Sequence, residues 1–275
     1  MANALSRVQL FTGRERARHS FADTARAIAW TALPWLVPVA CALLWVLGSR
    51  NGWISAQVLP PPALVFDTLG ALVRSGELWT HLGASVSRVA VGFIGGVALG
   101  VVLGALLGLS RSLEAYVLPS FNAIVQVPVL GWLPFLMIVV GIGEPLKYLL
   151  IGHAALVPVT LSTLQGFRGT PPALREVASV YRHTRWQTIL HVTLPAALPM
   201  IGTGVRLAFT KAWLTLVVVE LVASSEGLGY LIVYGRQLFQ LDLVLAAVLI
   251  VGAIGYVADR SLNALERKLD RAHAR

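Results

Sequence analysis

Cysteine, lysine and charge in general are scarce in this chain. A single cysteine, Cys41, stands among 275 residues, which excludes an intrachain disulfide and leaves the redox compartment unread. The apolar run around it reads Cys41 as a small buried residue. Lysine occurs three times, as Lys147, Lys211 and Lys268, never inside a G-x-x-x-x-G-K-[S/T] pattern. The usual phosphate-cradling route to ATP hydrolysis is therefore closed to this polypeptide. No grouping of His, Cys and carboxylate has metal-ligand spacing, and no nucleophile, base and orienting group stand in a catalytic set. Neither a metal site nor a catalytic site is expected. Arg14, Glu15, Arg16 and Arg18 precede any apolar stretch, with no small-residue cleavage site, so no cleaved signal peptide is expected.

What the chain has in abundance is apolar sequence. Hydrophobic residues make up 56% and charged residues 13%, with a mean hydropathy of +0.74, which places the chain among membrane proteins. A bilayer core takes about 20 apolar helical residues, and six runs approach that length: 28–48, 89–109, 118–141, 148–164, 197–222 and 241–257. The third contains Pro119, Pro128 and Pro134 and should be kinked or broken. Six spans put both ends on one side. If that side is the cytoplasm, it carries fifteen of the Lys and Arg residues against five opposite (Arg50, Arg74, Arg88, Lys147 and Arg236). This asymmetry orients both tails inward and accounts for a net charge of +9 without nucleic acid as a partner. The expected plan is all-α: a cytoplasmic tail at 1–27, a transmembrane domain at 28–258 with a cytoplasmic loop at 166–195, and a cytoplasmic tail at 259–275.

Outside the spans, residues 50–88 are too polar to cross a membrane. They hold the rigid stretch Leu59-Pro60-Pro61-Pro62 and an amphipathic stretch over 63–73. The second span repeats glycine at every fourth position, from Gly92 through Gly96, Gly100 and Gly104 to Gly108. Such a stripe admits another backbone closely, either inside the bundle or between two copies.

A polar island interrupts the apolar sequence at GFRGTPPALREVASVYRHTRWQTILHVTLP. Thr170 is placed to cap a short helix, with Pro171 at its first position and Tyr181 near its end. A second stretch over 185–192 leads to Leu194-Pro195, whose proline marks a turn into the fifth span. Two short helices at an angle would make a knob on the cytoplasmic face.

The island resembles the cytoplasmic loop of ABC importer permeases. There E-A-A, three residues, Gly, nine residues and I-x-L-P occur in order. Here Glu176-Val177-Ala178 is followed at that spacing by Val192-Thr193-Leu194-Pro195. The segments SGELWTHLGASVSR, GWLPFLMIVVGIGE, LPAALPMIGTGVRLA and AWLTLVVVELVASSEGLGYLI extend the resemblance over about seven-tenths of the chain. They are most similar to permeases that import nitrate, taurine and aliphatic sulfonates, with SGELW, WLTL and ASSEGLGYL closest to the aliphatic sulfonate branch. The resemblance implies a type I importer permease fold in a bacterial inner membrane. It also implies a homodimeric permease, two ABC ATPase subunits that hold ATP and Mg, a periplasmic or lipid-anchored solute-binding protein, and no cofactor on this chain. By position, Glu176, Val177, Ala178, Tyr181, Arg182, Val192, Leu194 and Pro195 would couple to the ATPase. Arg182 departs from the family, which has glycine there. Either the turn is rebuilt, with Arg182 reaching an ATPase carboxylate, or coupling is weakened.

Polar groups within the apolar runs are candidates for a translocation path or gate: Asn122, Gln126, Lys211, Thr215 and Glu220, with Thr210 beside them. Charge in lipid is expensive and should face protein or water. Lys211 and Glu220 are nine residues apart, about half a turn out of phase at 100° per residue, so they should not pair within one helix. Glu220 is expected near the outer interface, solvated or bonded to loop backbone, or else in a gate or dimer contact. Lys211 could attract an anion. His81 and His153 are expected in structural roles. The competing reading is an ion-coupled secondary transporter or channel using Lys211 and Glu220. It leaves the knob unexplained.

Overall fold

The computed structural model describes residues 33, 35–53, 55 and 57–273. The tail expected at 1–27 and the opening of the first span lie outside the described residues. The chain divides into two compact units at Leu64, and each is treated by itself. The first contains helix α1 (Trp35–Arg50) and a turn in which the Trp45 indole N–H donates to the Pro60 carbonyl at 2.9 Å. Cys41 is exposed on α1, contrary to the buried position expected of it. An apolar helix that shows most of its sides outward, as α1 does with Leu36, Leu43 and Leu44, has no interior of its own for a small residue to occupy.

Helix α2 (Pro62–Ser75) crosses the boundary between the units and matches the expected amphipathic stretch. The second unit continues through α3 (Glu77–Leu109), α4 (Arg111–Val125), a 3₁₀ turn at Val129–Trp132 and α5 (Leu133–Val140). Next come α6 (Glu144–Arg168), α7 (Pro172–Val180) and α8 (Arg185–Thr188). The chain ends with α9 (Leu194–Ala223), α10 (Leu228–Gln237) and α11 (Leu241–His273). No strand occurs among the described residues.

Among the described residues three helices are long and apolar enough to span a membrane singly, or up to five spans result if each bent pair counts as one. The six expected spans are therefore not six uninterrupted helices. The third is broken as its prolines required: α4 and the segment from Val129 to Val140 meet at 85°. The break falls at Pro128, where the backbone is extended (φ −54°, ψ 140°). Pro119 is carried inside α4 without a break. The second span begins at Glu77, so the WTHLGASVSR segment assigned to the outside is helix. Its polar residues His81, Ser85 and Arg88 are buried at helical spacing with Leu78 and Val89. Hydropathy misses such a face because its polar groups are satisfied by protein.

The glycine stripe packs within the chain. A methyl group on Gly92 would meet Ile151, on Gly96 Ala155, on Gly100 Val159, on Gly104 Thr163 and on Gly108 Phe167. That constant register shows α3 and α6 running parallel in backbone contact, as small residues permit where lipid offers no hydrophobic drive. Gly166 meets Ala197, and Gly204 meets Ser162, so α9 lies antiparallel on α6. The junction between α6 and α9 is thereby brought to one end of the bundle. The start of α6 and the end of α9 meet at the other.

Candidate functional site

The island projects from the end where α6 stops and α9 begins. Helix α7 has Pro171 as its N-cap and Pro172 at its first position, without a side-chain cap. Both are one residue later than expected, because a proline at 172 holds residue 171 extended (φ −55°, ψ 134°). Thr170 does not cap α7. It is buried, and its hydroxyl reaches back toward the Gly166 carbonyl at 3.5 Å.

Helix α7 ends in a Schellman motif. The His183 N–H donates to Ala178 O at 3.0 Å and the Arg182 N–H donates to Ser179 O at 3.0 Å. The residue at the left-handed position is Arg182, with φ +54°. The turn that a glycine would serve is therefore kept and not rebuilt, with an arginine in it. Such a conformation costs an L-residue about 1–2 kcal/mol. Thr184 then forms a capping box with Gln187. Its hydroxyl accepts from the Gln187 N–H at 3.3 Å and its own N–H donates to Gln187 Oε1 at 2.8 Å.

No turn occurs at Leu194-Pro195. Helix α8 passes into a π turn at Ile189–Thr193 and directly into α9, with the Leu194 N–H bonded to Ile189 O. Pro195 has no N–H for the His191 carbonyl and its ring crowds it. Opening one turn to five-residue bonds accommodates the ring without breaking the helix. Of the residues singled out from sequence, Val177, Ala178, Tyr181, Val192 and Pro195 line one concavity of about 440 Å³ with His183 and His191. Glu176 is exposed on α7 and Leu194 half-buried at the head of α9. Val180 (80% exposed), Tyr181 (74%) and Trp186 (67%) stand out around the knob.

At the opposite end of the bundle lies a cluster the sequence did not reveal. The Arg88 guanidinium is buried and donates to Glu144 through Nε (2.9 Å) and Nη2 (2.8 Å). It also donates to Glu220 through Nη1 at 2.9 Å and to Glu226 Oε1 through Nη2 at 3.0 Å. Lys147 donates to Glu144 at 2.7 Å. Glu220, whose side chain has 0% exposure, accepts from Ser85 Oγ at 2.8 Å and from the Gly229 N–H at 2.9 Å, in the first turn of α10. That position suits a carboxylate. The Gly227 N–H donates to His81 Nδ1 at 3.0 Å. Glu220 is thus neither solvated nor bonded to a loop: it takes its backbone bond from α10, inside protein and against an arginine. Arg88 and Lys147, counted as outer loop charges, are buried ion-pair partners. The available signal was the pairing of Glu144 with Lys147 one helical turn on, and Arg88 in register with them along the glycine stripe.

The expected path residues are dispersed. Asn122 is exposed on α4 and Gln126 is exposed at its C-cap, and Asn122 lines an open cavity of about 750 Å³ with Arg111, Glu114 and Arg168. Glu114 and Arg168 form an ion pair. Lys211 and Thr210 lie on an exposed stripe of α9, whereas Thr215 is buried. Among the described residues Lys211 has no ion-pair partner, and none holds a metal-binding group of three or more.

The chain is 41% identical over 234 residues to the putative aliphatic sulfonates transport permease protein of Bacillus subtilis, covering 85% of each chain. It is 38% identical to the protein of the same description in Escherichia coli, covering 85% of this chain and 89% of that one. The taurine transport system permease protein of Escherichia coli is 34% identical, with 80% and 82% covered. The fold is similar to that in inward-facing MetNI methionine ABC transporter structures, with a TM-score of 0.56 at 19% identity, over 67% of this chain and 92% of that one. Residues 96–271 match the family of binding-protein-dependent transport system inner membrane components. An all-helical bundle with a type I ABC importer permease fold, carrying that match over most of its length, belongs to this family of ABC transporter permeases.

Proposed function

We propose that the chain carries a small anion, an aliphatic sulfonate or taurine, across the inner membrane when ATP is hydrolysed in a separate subunit. The observation that supports this most directly is the knob. A membrane bundle projects two short helices bearing exposed Val177, Val180, Tyr181 and Trp186, and large apolar side chains exposed together on a projecting element mark a protein interface. The ATPase pair seats there, one subunit on each of two permease copies. A solute-binding protein delivers substrate at the end that carries Arg88, and both termini lie in the cytoplasm. The names of the relatives support the substrate class.

In this arrangement Glu176, Val177 and Ala178 enter a groove on the ATPase, and Val192, Leu194 and Pro195 tie that movement to α9. Continuity from α8 into α9 supports the coupling, because displacement of the knob is transmitted along one helix. The ion-coupled alternative needs Glu220 available for titration or cation binding. Its engagement by Arg88, Ser85 and Gly229 disfavours that.

The experiment is co-purification with the cognate ATP-binding subunit. A Val177→Asp chain, still inserted in the membrane and eluting as the parent does, should lose the ATPase and with it import. Retention of both would remove the knob from the mechanism.

A further inference from the structure

We infer that Arg182 and Arg185 form a cationic clamp for a carboxylate surface on the ATP-binding subunit, at the rim of the groove that receives α7. This rests on the reading of the knob as the ATPase seat. Two charges stand at the corner between α7 and α8, and each is in a locally unfavourable place. Arg182 occupies the left-handed position of the Schellman motif at φ +54°, where a side chain costs energy that glycine avoids. Arg185 opens α8, at the end of a helix where the peptide dipoles repel a cation. Neither arginine recovers that cost inside the chain. Both are exposed, and among the described residues no carboxylate pairs with either. The Schellman bonds hold the backbone there, but nothing among the described residues pairs with the arginine charge, and a strained residue whose side chain has no partner of its own points to function.

Charge balance identifies the occupant. Between residues 169 and 195 the basic residues are Arg175, Arg182 and Arg185, and the only acid is Glu176. Arg175 is occupied by its bond to Thr170 O at 2.7 Å. The free excess at the corner is therefore positive. Tyr181 and Trp186 flank it, exposed. Aromatic anchors beside arginine are the composition of an interface centre, and a positive rim selects a negative partner surface and speeds its approach.

Arg182→Gly separates charge from backbone, because glycine keeps the left-handed turn. The measurement is equilibrium binding of the purified ATP-binding subunit to the full chain in nanodiscs, at 50 and 300 mM salt. The parent should bind more weakly at high salt. Arg182→Gly should weaken binding about three- to fivefold at low salt, the scale of one exposed charge pair, with a flatter salt dependence. Arg182→Lys should retain most of the parent's salt dependence, and Arg182→Glu should fall below glycine. Equal affinity for parent and glycine variant at both salts overturns the clamp and leaves the seat intact. Absence of binding by the parent overturns the seat itself, and the clamp with it.

Discussion

Removing the charge of Glu220 should be far more damaging than removing that of Glu226, although both carboxylates bind one arginine. The Glu220 side chain has 0% exposure, that of Glu144 has 42% and that of Glu226 has 50%. Arg88 has 1%. Breaking a fully buried pair leaves an uncompensated charge and costs about 3–5 kcal/mol. Loss of a half-exposed partner, which water replaces, costs about 1 kcal/mol or less. Arg88→Met should therefore destabilise by about 3–5 kcal/mol, Glu220→Gln by a comparable amount, and Glu226→Gln by about 1 kcal/mol or less. Glu144→Gln should fall between them, because Glu144 is half-exposed but is also the carboxylate that pairs buried Lys147. Glutamine can still accept from Ser85 and Gly229, so its effect isolates the charge. The double variant Arg88→Met with Glu220→Gln should cost less than the sum of the two, with a coupling energy of about 2 kcal/mol or more. Equilibrium denaturation of the detergent-solubilised chain measures all five. Equal losses for Glu226→Gln and Glu220→Gln, or additivity in the double variant, would refute the buried-pair reasoning.

Four further outcomes follow, three from local structure and one from charge. Gly104→Val should destabilise by about 1–3 kcal/mol, because an added carbon would stand 2.5 Å from Thr160 O and 2.6 Å from Thr163 Cβ. Gly95→Ala, with nothing within 4 Å, should leave the thermal midpoint unchanged or slightly raised. Thr184→Ala removes the capping box and should cost about 1 kcal/mol locally, read as faster amide exchange over residues 184–188 with the rest of the bundle unaffected. Lys211→Gln should slow anion import about fivefold, the scale of one charge contact, while ATPase binding stays at the parent level. Unchanged import would take Lys211 out of the path.

The sequence disclosed what depends on local chemistry. Proline at 128 marked the break in the third span, glycine at every fourth position marked a close helix contact, and the spacing from Glu176 to Pro195 marked the knob. The choice between contact within the bundle and contact between copies needed the partner helix, which only the fold supplies. Arg88 was misplaced for a related reason. Hydropathy scores a charge as though it met lipid or water, and an arginine surrounded by three glutamates from distant positions meets neither. The corner at Arg182 shows a third limit. Residue type argued against a left-handed turn, but the hydrogen bonds of the Schellman motif hold it nonetheless. The continuous passage through Pro195 was likewise invisible, because a π turn has no compositional mark.

Import by this permease should require hydrolysis in its partner, and uptake into proteoliposomes tests that most directly. Vesicles containing the chain, its cognate ATP-binding subunit and the solute-binding protein, with ATP on the ATPase side, should accumulate a labelled alkanesulfonate. Replacing the Walker lysine of the ATP-binding subunit should abolish accumulation. Uptake that persisted with the ATPase disabled or absent, driven by an ion gradient, would contradict the central claim.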